Sequence, residues 1–193
     1  YDKTGEQHYD IISAFIKSIR GSDPNAAVYW LARMVEGGED VKFIARRLII
    51  LASEDIGNAN PTALVIANNC FQAVTVIGFP ESRIILSQCV TYLACSAKSN
   101  AAYQAIGQAQ ATVKQSGALS VPLHLRNAPT KLMKDLNYGK NYNYAHNNPA
   151  NFAAQEYLPE EISGQTFYDP GNNEREKHLR DFLKNRWGDK YGY

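Results

Sequence analysis

A chain of 193 residues is long enough for one domain or for two small ones. Apolar residues make up 45% of it, so a sizeable core can form without disulfides or structural metals. The 20 Lys and Arg residues nearly balance the 19 Asp and Glu residues, which excludes a strong overall field toward nucleic acid or an anionic membrane, and any basic site has to be local.

The first two thirds of the chain are predicted to be consecutive helices separated by short turns. Apolar residues recur there at helical spacing, and Gly, Pro or Ser marks each break. The predicted helices cover residues 8–20, 24–36, 41–56, 61–77, 81–97 and 99–115. No segment alternates as a β-strand would. Short links between long helices predict an all-α fold, an antiparallel helical bundle or array.

The helix predicted over residues 41–56 is the one on which we expect the others to pack. Asp40 is its expected N-cap, and Gly57 is expected to end it in a left-handed turn. Apolar residues around most of its girth indicate that it is covered on several sides. The excess of apolar surface here and over residues 84–93 favours self-association.

Two acidic residues occupy an unfavourable position at the end of this helix. Glu54 and Asp55 lie at the negative end of the helix dipole, and Arg46 and Arg47 are too far back for i,i+4 pairing with them. Either the acids meet a basic side chain elsewhere in the fold, or they bind a partner, a metal or a neighbouring subunit. These four residues are therefore candidates for a subunit or inter-domain contact.

The composition changes at Gly117. Residues 118–126 are predicted to be extended, residues 130–137 to form a short helix, and residues 139–171 to be long and irregular. The many aromatic residues of that last stretch indicate that it packs through its own side chains. The predicted organisation is a helical core over 1–116, an extended or irregular segment over 117–172 packed on that core, and a C-terminal helix over 173–193.

Cations and tyrosines are interleaved within and after the short helix. Such a mixture can bind phosphates and stack bases. The alternative is that the tyrosines pack the loop and the lysines are solvated. The candidate DNA contacts are Arg126, Lys131, Lys134, Tyr138, Lys140 and Tyr142.

The sequence contains no catalytic or nucleotide-binding motif of the kinds sought. GxxxxGK[ST], GxGxxG, HExxH and GxSxG do not occur, and the 4 histidines are scattered without the spacing of metal ligands, so no metal site is predicted. Cys70, Cys89 and Cys95 are expected to be buried free thiols in a reducing cytosol. The longest apolar run is too short to span a bilayer, and no membrane partner is expected. These features indicate a non-catalytic helical module; a hydrolase using Glu54, Asp55 and a histidine is the competing enzymatic hypothesis.

Seven blocks of the chain carry a resemblance to a known family. They are residues 6–15, 19–24, 45–48, 52–59, 91–94, 122–134 and 157–159. Together they resemble the C-terminal region of the replication-associated recombination protein A family, also called MgsA, which is related to the eukaryotic Werner-helicase-interacting ATPase. The longest block, PLHLRNAPTKLMK at 122–134, also contains part of the basic and aromatic stretch.

The resemblance implies a clamp-loader-collar-like domain that assembles an AAA+ ATPase into a homotetramer. It further implies action at stalled or damaged replication forks, association with single-stranded-DNA-binding protein, and a cytoplasmic, nucleoid-associated location. ATP and Mg²⁺ would belong to an N-terminal ATPase module and lid, which we expect to precede a chain that starts at Tyr1 without Met. The chain itself is expected to hold no cofactor and no catalytic residue. Two functions remain open, tetramerisation and DNA contact through residues 126–140.

Overall fold

The computed structural model of the chain describes residues 5–193 and contains α-helices and short helical turns, with no β-strand among those residues. This confirms the predicted all-α class. The α-helices of this region are α1 (Glu6–Arg20), α2 (Pro24–Glu36), α3 (Val41–Leu51), α4 (Thr62–Ile77), α5 (Ser82–Ala94), α6 (Ala101–Ser116), α7 (Lys131–Asp135) and α8 (Glu174–Tyr191).

Side-chain caps start α2 and α3, as Asp23 before Pro24 and Asp40 before Val41 in the sequence predict. The Asp23 carboxylate accepts a hydrogen bond from the Ala26 amide at 2.9 Å, and Pro24 occupies the first helical position, where no amide hydrogen is needed. The Asp40 carboxylate accepts from the Lys42 amide, also at 2.9 Å. Each cap stabilises its helix by about 1 kcal/mol.

The helix predicted over residues 41–56 has a different end from the one expected. Its α-helical part stops at Leu51, and a π-helical turn, Ala52–Ile56, follows before Gly57 takes a positive φ of 51°. The wider turn is held from outside the helix, because the backbone oxygen of Asp55 accepts a hydrogen bond from the Ser99 amide at 2.7 Å. The left-handed glycine is therefore correct, and the regular helix up to it is wrong.

Two further helix ends differ from the prediction because side chains have other partners. Asn60, directly before Pro61 in the sequence, is predicted to cap α4, but it makes no cap there; its amide donates to the Tyr92 hydroxyl at 2.9 Å. The helix expected to run to residue 97 ends at Ala94, where the Lys98 ammonium donates to the backbone oxygens of Ala94 at 3.0 Å and Ser96 at 2.6 Å. A cation at this position satisfies carbonyl groups that the helix leaves open.

The chain forms two compact units. The first comprises the described part of Tyr1–Ala105 together with Pro170–Lys177, and the second comprises Ile106–Asp169 and His178–Tyr193. Because α6 and α8 each contribute residues to both units, the units do not coincide with the predicted segments 1–116, 117–172 and 173–193.

The first unit contains nearly all the buried apolar side chains. Phe15, Met34, Leu48, Leu86 and Leu93 are among those fully buried, and they come from α1, α2, α3 and α5. Helix α5 packs against each of α1, α2, α3 and α4, whereas α3 packs against α1, α4 and α5. Helix α5 therefore contacts the largest number of other helices, and α3 is covered on several sides as predicted, although it is not the single helix on which all the others pack.

The second unit is held together mainly by aromatic side chains. The Trp187 ring on α8 makes edge contacts with Phe152 at a centroid distance of 5.0 Å, with Tyr191 at 5.7 Å and with Tyr157 at 6.2 Å. Ala153 is the only buried hydrophobic residue that the structure describes in this unit. Aromatic rings of the irregular segment thus pack against α8 within this unit, and packing of the segment on the predicted core 1–116 stays a prediction.

Candidate functional site

The acidic turn after α3 has an internal basic partner. Arg20 Nε on α1 donates to Asp55 Oδ1 at 2.9 Å, and Asp55 is 8% exposed. The hydrogen bond to Asp55 is the main reason that the pKa of Arg20 is raised above its usual value. This is the arrangement expected if the acids meet a basic side chain within the fold. A subunit contact through Glu54, which is half-buried, stays a prediction.

The same turn connects three parts of the first unit. Besides the Arg20 pair and the bond between Ser99 and Asp55, the backbone oxygen of Asn58 accepts from Arg175 Nη1 at 3.2 Å. A Cβ on Gly57 would lie 3.4 Å from the Ser99 backbone oxygen. These contacts account for Asp55, Gly57 and Asn58 by the architecture of the unit, although Asp55 Oδ2 is buried without a hydrogen-bond partner among residues 5–193.

Arg46 and Arg47 differ in exposure although they are neighbours on α3. Arg46 is exposed, and Arg47 is half-buried. Arg47 Nε is buried and has no hydrogen-bond partner among residues 5–193. The structure does not bring either arginine into an ion pair with Glu54 or Asp55; their role in a subunit contact also stays a prediction.

Most of the exposed aliphatic side chains of the first unit lie on α4 and the turn that follows it. Val65 is 57% exposed and Val76 is 81% exposed; eleven residues separate them, about three helical turns, so they share one face. We call this surface the α4 face. It consists of Leu64, Val65, Val76, Ile77 and Phe79; Ile84, near the start of α5, is also exposed.

The excess apolar surface lies mainly on a different helix from the two predicted. On α3 the residues Ile44, Leu48 and Leu51 are buried, and only Ile50 among its large apolar residues is substantially exposed. On α5, Ile84 is exposed at 57%, whereas Leu86, Val90 and Leu93 are buried. A signal for α4 was present in the sequence, because residues 56–80 contain no Asp, Glu, Lys, Arg or His. An exposed helix without charges is unusual on a solvated surface.

The candidate DNA contacts all lie in the second unit. The Arg126 guanidinium stacks on the Tyr138 ring at 4.8 Å, and its Nε donates to the Val121 backbone oxygen at 2.8 Å. Arg126 and Tyr138 are therefore brought together, and both contribute to packing. Their pairing agrees with the alternative in which this part of the stretch is structural.

The lysines of this stretch are placed differently. Lys131 and Lys134 are exposed on α7, whose N-cap Thr130 accepts from the Met133 amide at 3.2 Å. Lys140 is also exposed, and Tyr142 is accessible. None of these three lysines is in an ion pair within the described region. Their charges are available for a polyanion.

A cleft of about 490 Å³ in the second unit includes Lys140. His124 lies in its wall, where the ring nitrogen Nε2 is 2.6 Å from the backbone oxygen of Glu156. Because that oxygen can only accept, Nε2 carries the proton and donates. Asn137 and Asn141, both at a positive φ of 68°, also line the cleft. The sequence had no signal for this cleft, since its residues come from three separate segments.

The described region offers no metal-binding group and no membrane span. Residues 5–193 contain no cluster of three or more His, Cys, Asp or Glu side chains suited to a metal ion. Within the same residues, no helix combines the length and hydrophobicity that crossing a bilayer requires.

Cys70 and Cys89 are buried as predicted, and the prediction for Cys95 is wrong because this residue is exposed at the C-terminal end of α5. The adjacent Cys70 thiol and burial raise the pKa of Cys89, so that thiol stays protonated.

Comparison with known proteins matches the chain to one family of AAA+ ATPases. The family model described as the C-terminal region of the MgsA AAA+ ATPase matches residues 21–187. The chain is 50% identical to the replication-associated recombination protein A of Coxiella burnetii over 95% of its own length and 42% of that protein. It is 46% identical to the protein of that name from Escherichia coli K12, over 89% of this chain and 39% of the relative. It is 44% identical to the ATPase WRNIP1 of Dictyostelium discoideum, over 88% of this chain and 19% of the relative.

Proposed function

The chain belongs to the MgsA AAA+ ATPase C-terminal family, and we propose that it is the region through which copies of a replication-associated recombination ATPase assemble into a homotetramer. The chain spans about two fifths of the length of the bacterial relatives it matches. The activity and partners of a longer protein are therefore part of the proposal.

The observation that carries the proposal is the α4 face. Its residues are large and apolar, two of them, Val65 and Val76, lie on one side of α4, and no charged residue lies anywhere in residues 56–80. Burying a side chain such as Val65 or Val76 against another copy contributes roughly 1.5–3 kcal/mol when burial is complete. A closed assembly of identical copies gives every copy the same covered surface.

Light scattering on the purified chain tests the assembly. The wild-type chain is expected to have four times its 21.5 kDa mass. Replacing Val65 and Val76 together with Glu puts two charges on the α4 face and should give monomers or dimers with unchanged circular dichroism. The matched control is Asn25→Glu with Asn100→Glu, two exposed positions outside the face, which should remain tetrameric.

Two outcomes would overturn this proposal. One is a wild-type chain that stays monomeric at its highest soluble concentration. The other is a Val65→Glu, Val76→Glu double variant that folds and keeps the wild-type mass, since the face would then not be the contact.

DNA contact is the second candidate function, and the unpaired lysines favour it. Lys131, Lys134 and Lys140 are exposed and have no ion-pair partner within residues 5–193. Each phosphate contact on single-stranded DNA contributes about −0.7 to the slope of log affinity against log salt concentration. The Lys131→Glu, Lys134→Glu variant should bind a fluorescent single strand more weakly and with a shallower salt slope. Unchanged binding would make this part of the stretch structural.

For the longer protein, we propose ATP and Mg²⁺ binding outside the matched region, with action at replication forks. Single-stranded-DNA-binding protein is the proposed further partner, in a cytoplasmic, nucleoid-associated setting. Calorimetry with ATP and Mg²⁺ should show no heat of binding for this chain alone. Nucleotide binding by the chain would contradict the assignment of the ATP site to another module.

A further inference from the structure

Two clefts of the second unit share one side chain. The cleft that includes Lys140 measures about 490 Å³, and a cleft of about 330 Å³ lies along α8 between residues 184 and 190. Gln155 lines both. Each volume is in the range of small-ligand sites, large enough for one nucleotide. The two clefts are therefore neighbours that meet at Gln155.

The shared wall is fixed by hydrogen bonds. Gln155 Nε2 donates to the Asn143 backbone oxygen at 2.6 Å and to the Tyr157 hydroxyl at 2.8 Å, while Gln155 Oε1 accepts from the Asn143 amide at 3.1 Å. With its amide engaged on both ends, this side chain cannot swing into either cleft without losing three bonds. The wall between the two clefts is thus ordered before a ligand arrives.

The negative charge of Glu156, the residue next to Gln155, is already balanced by partners within the unit. The Glu156 carboxylate pairs with Lys190, accepts from the Ser163 hydroxyl at 2.6 Å and accepts from the Leu158 amide at 2.9 Å. Burial by itself would raise the pKa of Glu156, but these hydrogen bonds prevail and lower it to about 2. Its negative charge is consequently directed at Lys190 and contributes little repulsion in the clefts.

Apart from the Glu156–Lys190 pair, the charged side chains that line the two clefts are mainly positive. Lys184 is exposed in the second cleft, and Arg186 lies beside it with its guanidinium 3.6 Å from the centre of the Phe182 ring. Asp189 is the opposing acid in this cleft. Lys140 supplies the cation of the first cleft. Cations therefore stand on both sides of Gln155.

We infer that one strand of nucleic acid runs along both clefts across Gln155, with phosphates at Lys140 on one side and at Lys184 and Arg186 on the other. Trp187, which lines the second cleft, lies beside the bound strand. This inference rests on the DNA-contact candidate and extends it from residues 126–142 to α8. A single strand fits better than a duplex because each cleft has room for one nucleotide and the second is lined by the Trp187 ring, on which a base can stack.

The test measures binding of a fluorescent oligothymidine strand to the whole chain by anisotropy over a range of salt concentrations. The Lys184→Gln, Arg186→Gln variant should bind about tenfold more weakly and should reduce the magnitude of the salt slope by about 1.4, the loss of two phosphate contacts. The matched control, Lys114→Gln with Lys177→Gln, removes the same charge from exposed positions outside both clefts and should leave the slope unchanged. Because Arg186 also packs on Phe182, its replacement could disturb the fold. The single variant Lys184→Gln therefore tests the charge effect without changing this packing.

A second readout locates the strand. The chain has 2 tryptophans, so Trp30→Phe leaves Trp187 as the only one, and its fluorescence should change when the strand binds. One combined result would overturn the inference and leave DNA contact intact. In that result, Lys131→Glu with Lys134→Glu weakens binding, Lys184→Gln does not, and Trp187 fluorescence does not change when the strand binds. A wild-type chain that binds no single strand would overturn both. Preference for a duplex of equal length would also contradict the single-strand path.

Discussion

Arg20 on α1 donates its Nε hydrogen to Oδ1 of Asp55 at 2.9 Å, and the carboxylate it reaches is almost fully buried while the arginine is partly in solvent. The pair joins the start of the first unit to the π-helical turn after α3. Removing only one partner therefore has unequal consequences, because the buried group has no access to water.

Replacing Arg20 with Met should destabilise the chain by about 1–3 kcal/mol, since Asp55 would be left buried without its donor. Urea unfolding followed by circular dichroism measures the change. Adding Asp55→Asn to Arg20→Met should restore part of the loss, because an amide is less costly to bury unpaired than a carboxylate. A double variant less stable than Arg20→Met would show that Asp55 does more than pair with this arginine.

Two glycines should respond in opposite directions to alanine. Gly107 lies inside α6, and a Cβ added there would meet nothing within 4 Å, so Gly107→Ala should raise the free energy of unfolding by up to about 1 kcal/mol through helix propensity. Gly57 has a φ of +51°, and its Cβ would lie 3.4 Å from the Ser99 backbone oxygen. Gly57→Ala should lower stability by roughly 1 kcal/mol or more. Thermal unfolding of both variants beside the wild type is the measurement, and equal shifts would contradict the backbone argument.

The acid sensitivity of the second unit should depend on Glu156. Its folded pKa of about 2 lies below the ordinary value of 4.5, so the folded state favours the ionised form. The resulting stabilisation is complete above pH 4.5 and is lost as the pH falls toward 2. Glu156→Gln should therefore have a shallower loss of stability in this pH interval than the wild type. Parallel acid-unfolding curves would exclude Glu156 as the responsible group.

Two apolar residues of α3 should differ sharply in their contribution to stability. Leu48 is fully buried, and Leu48→Ala should cost about 2–5 kcal/mol through lost burial and a cavity. Ile50, on the same helix, is 47% exposed, so Ile50→Ala should cost clearly less. Denaturant midpoints at unchanged slope give both values. Similar losses would mean that Ile50 is covered in the protein in solution.

Local signals in the sequence were sufficient for most helix starts and insufficient for several helix ends. Asp23 and Asp40 were predictable caps because each acts on an amide two or three residues away. The end of α5 was not predictable from local sequence. The Lys98 ammonium bonds the Ala94 backbone oxygen at this end and also donates to the Ser22 hydroxyl at 3.0 Å, 76 residues away in the sequence. The π-helical turn likewise depends on Ser99, far along the chain.

The candidate surfaces were predictable to different degrees. Exposure of Lys131 and Lys134 followed from a short polar helix, whereas the stacking of Arg126 on Tyr138 required knowledge of a turn that brings them together. The clefts around Gln155 combine segments that are distant in the sequence, and no periodicity marks them. Helix periodicity identified the apolar faces of the helices. It could not show which of these faces are buried by other helices of the same unit.

The absence of charge from residues 56–80 makes ionic strength a means of separating the two proposed contacts. Contacts between neutral apolar faces persist or tighten in concentrated salt, whereas phosphate contacts weaken steeply as salt is added. A chain carrying both should therefore release its polyanion in high salt and remain associated with its own copies. Washing with salt would yield nucleic-acid-free oligomers, and mild salt would preserve the complete complex.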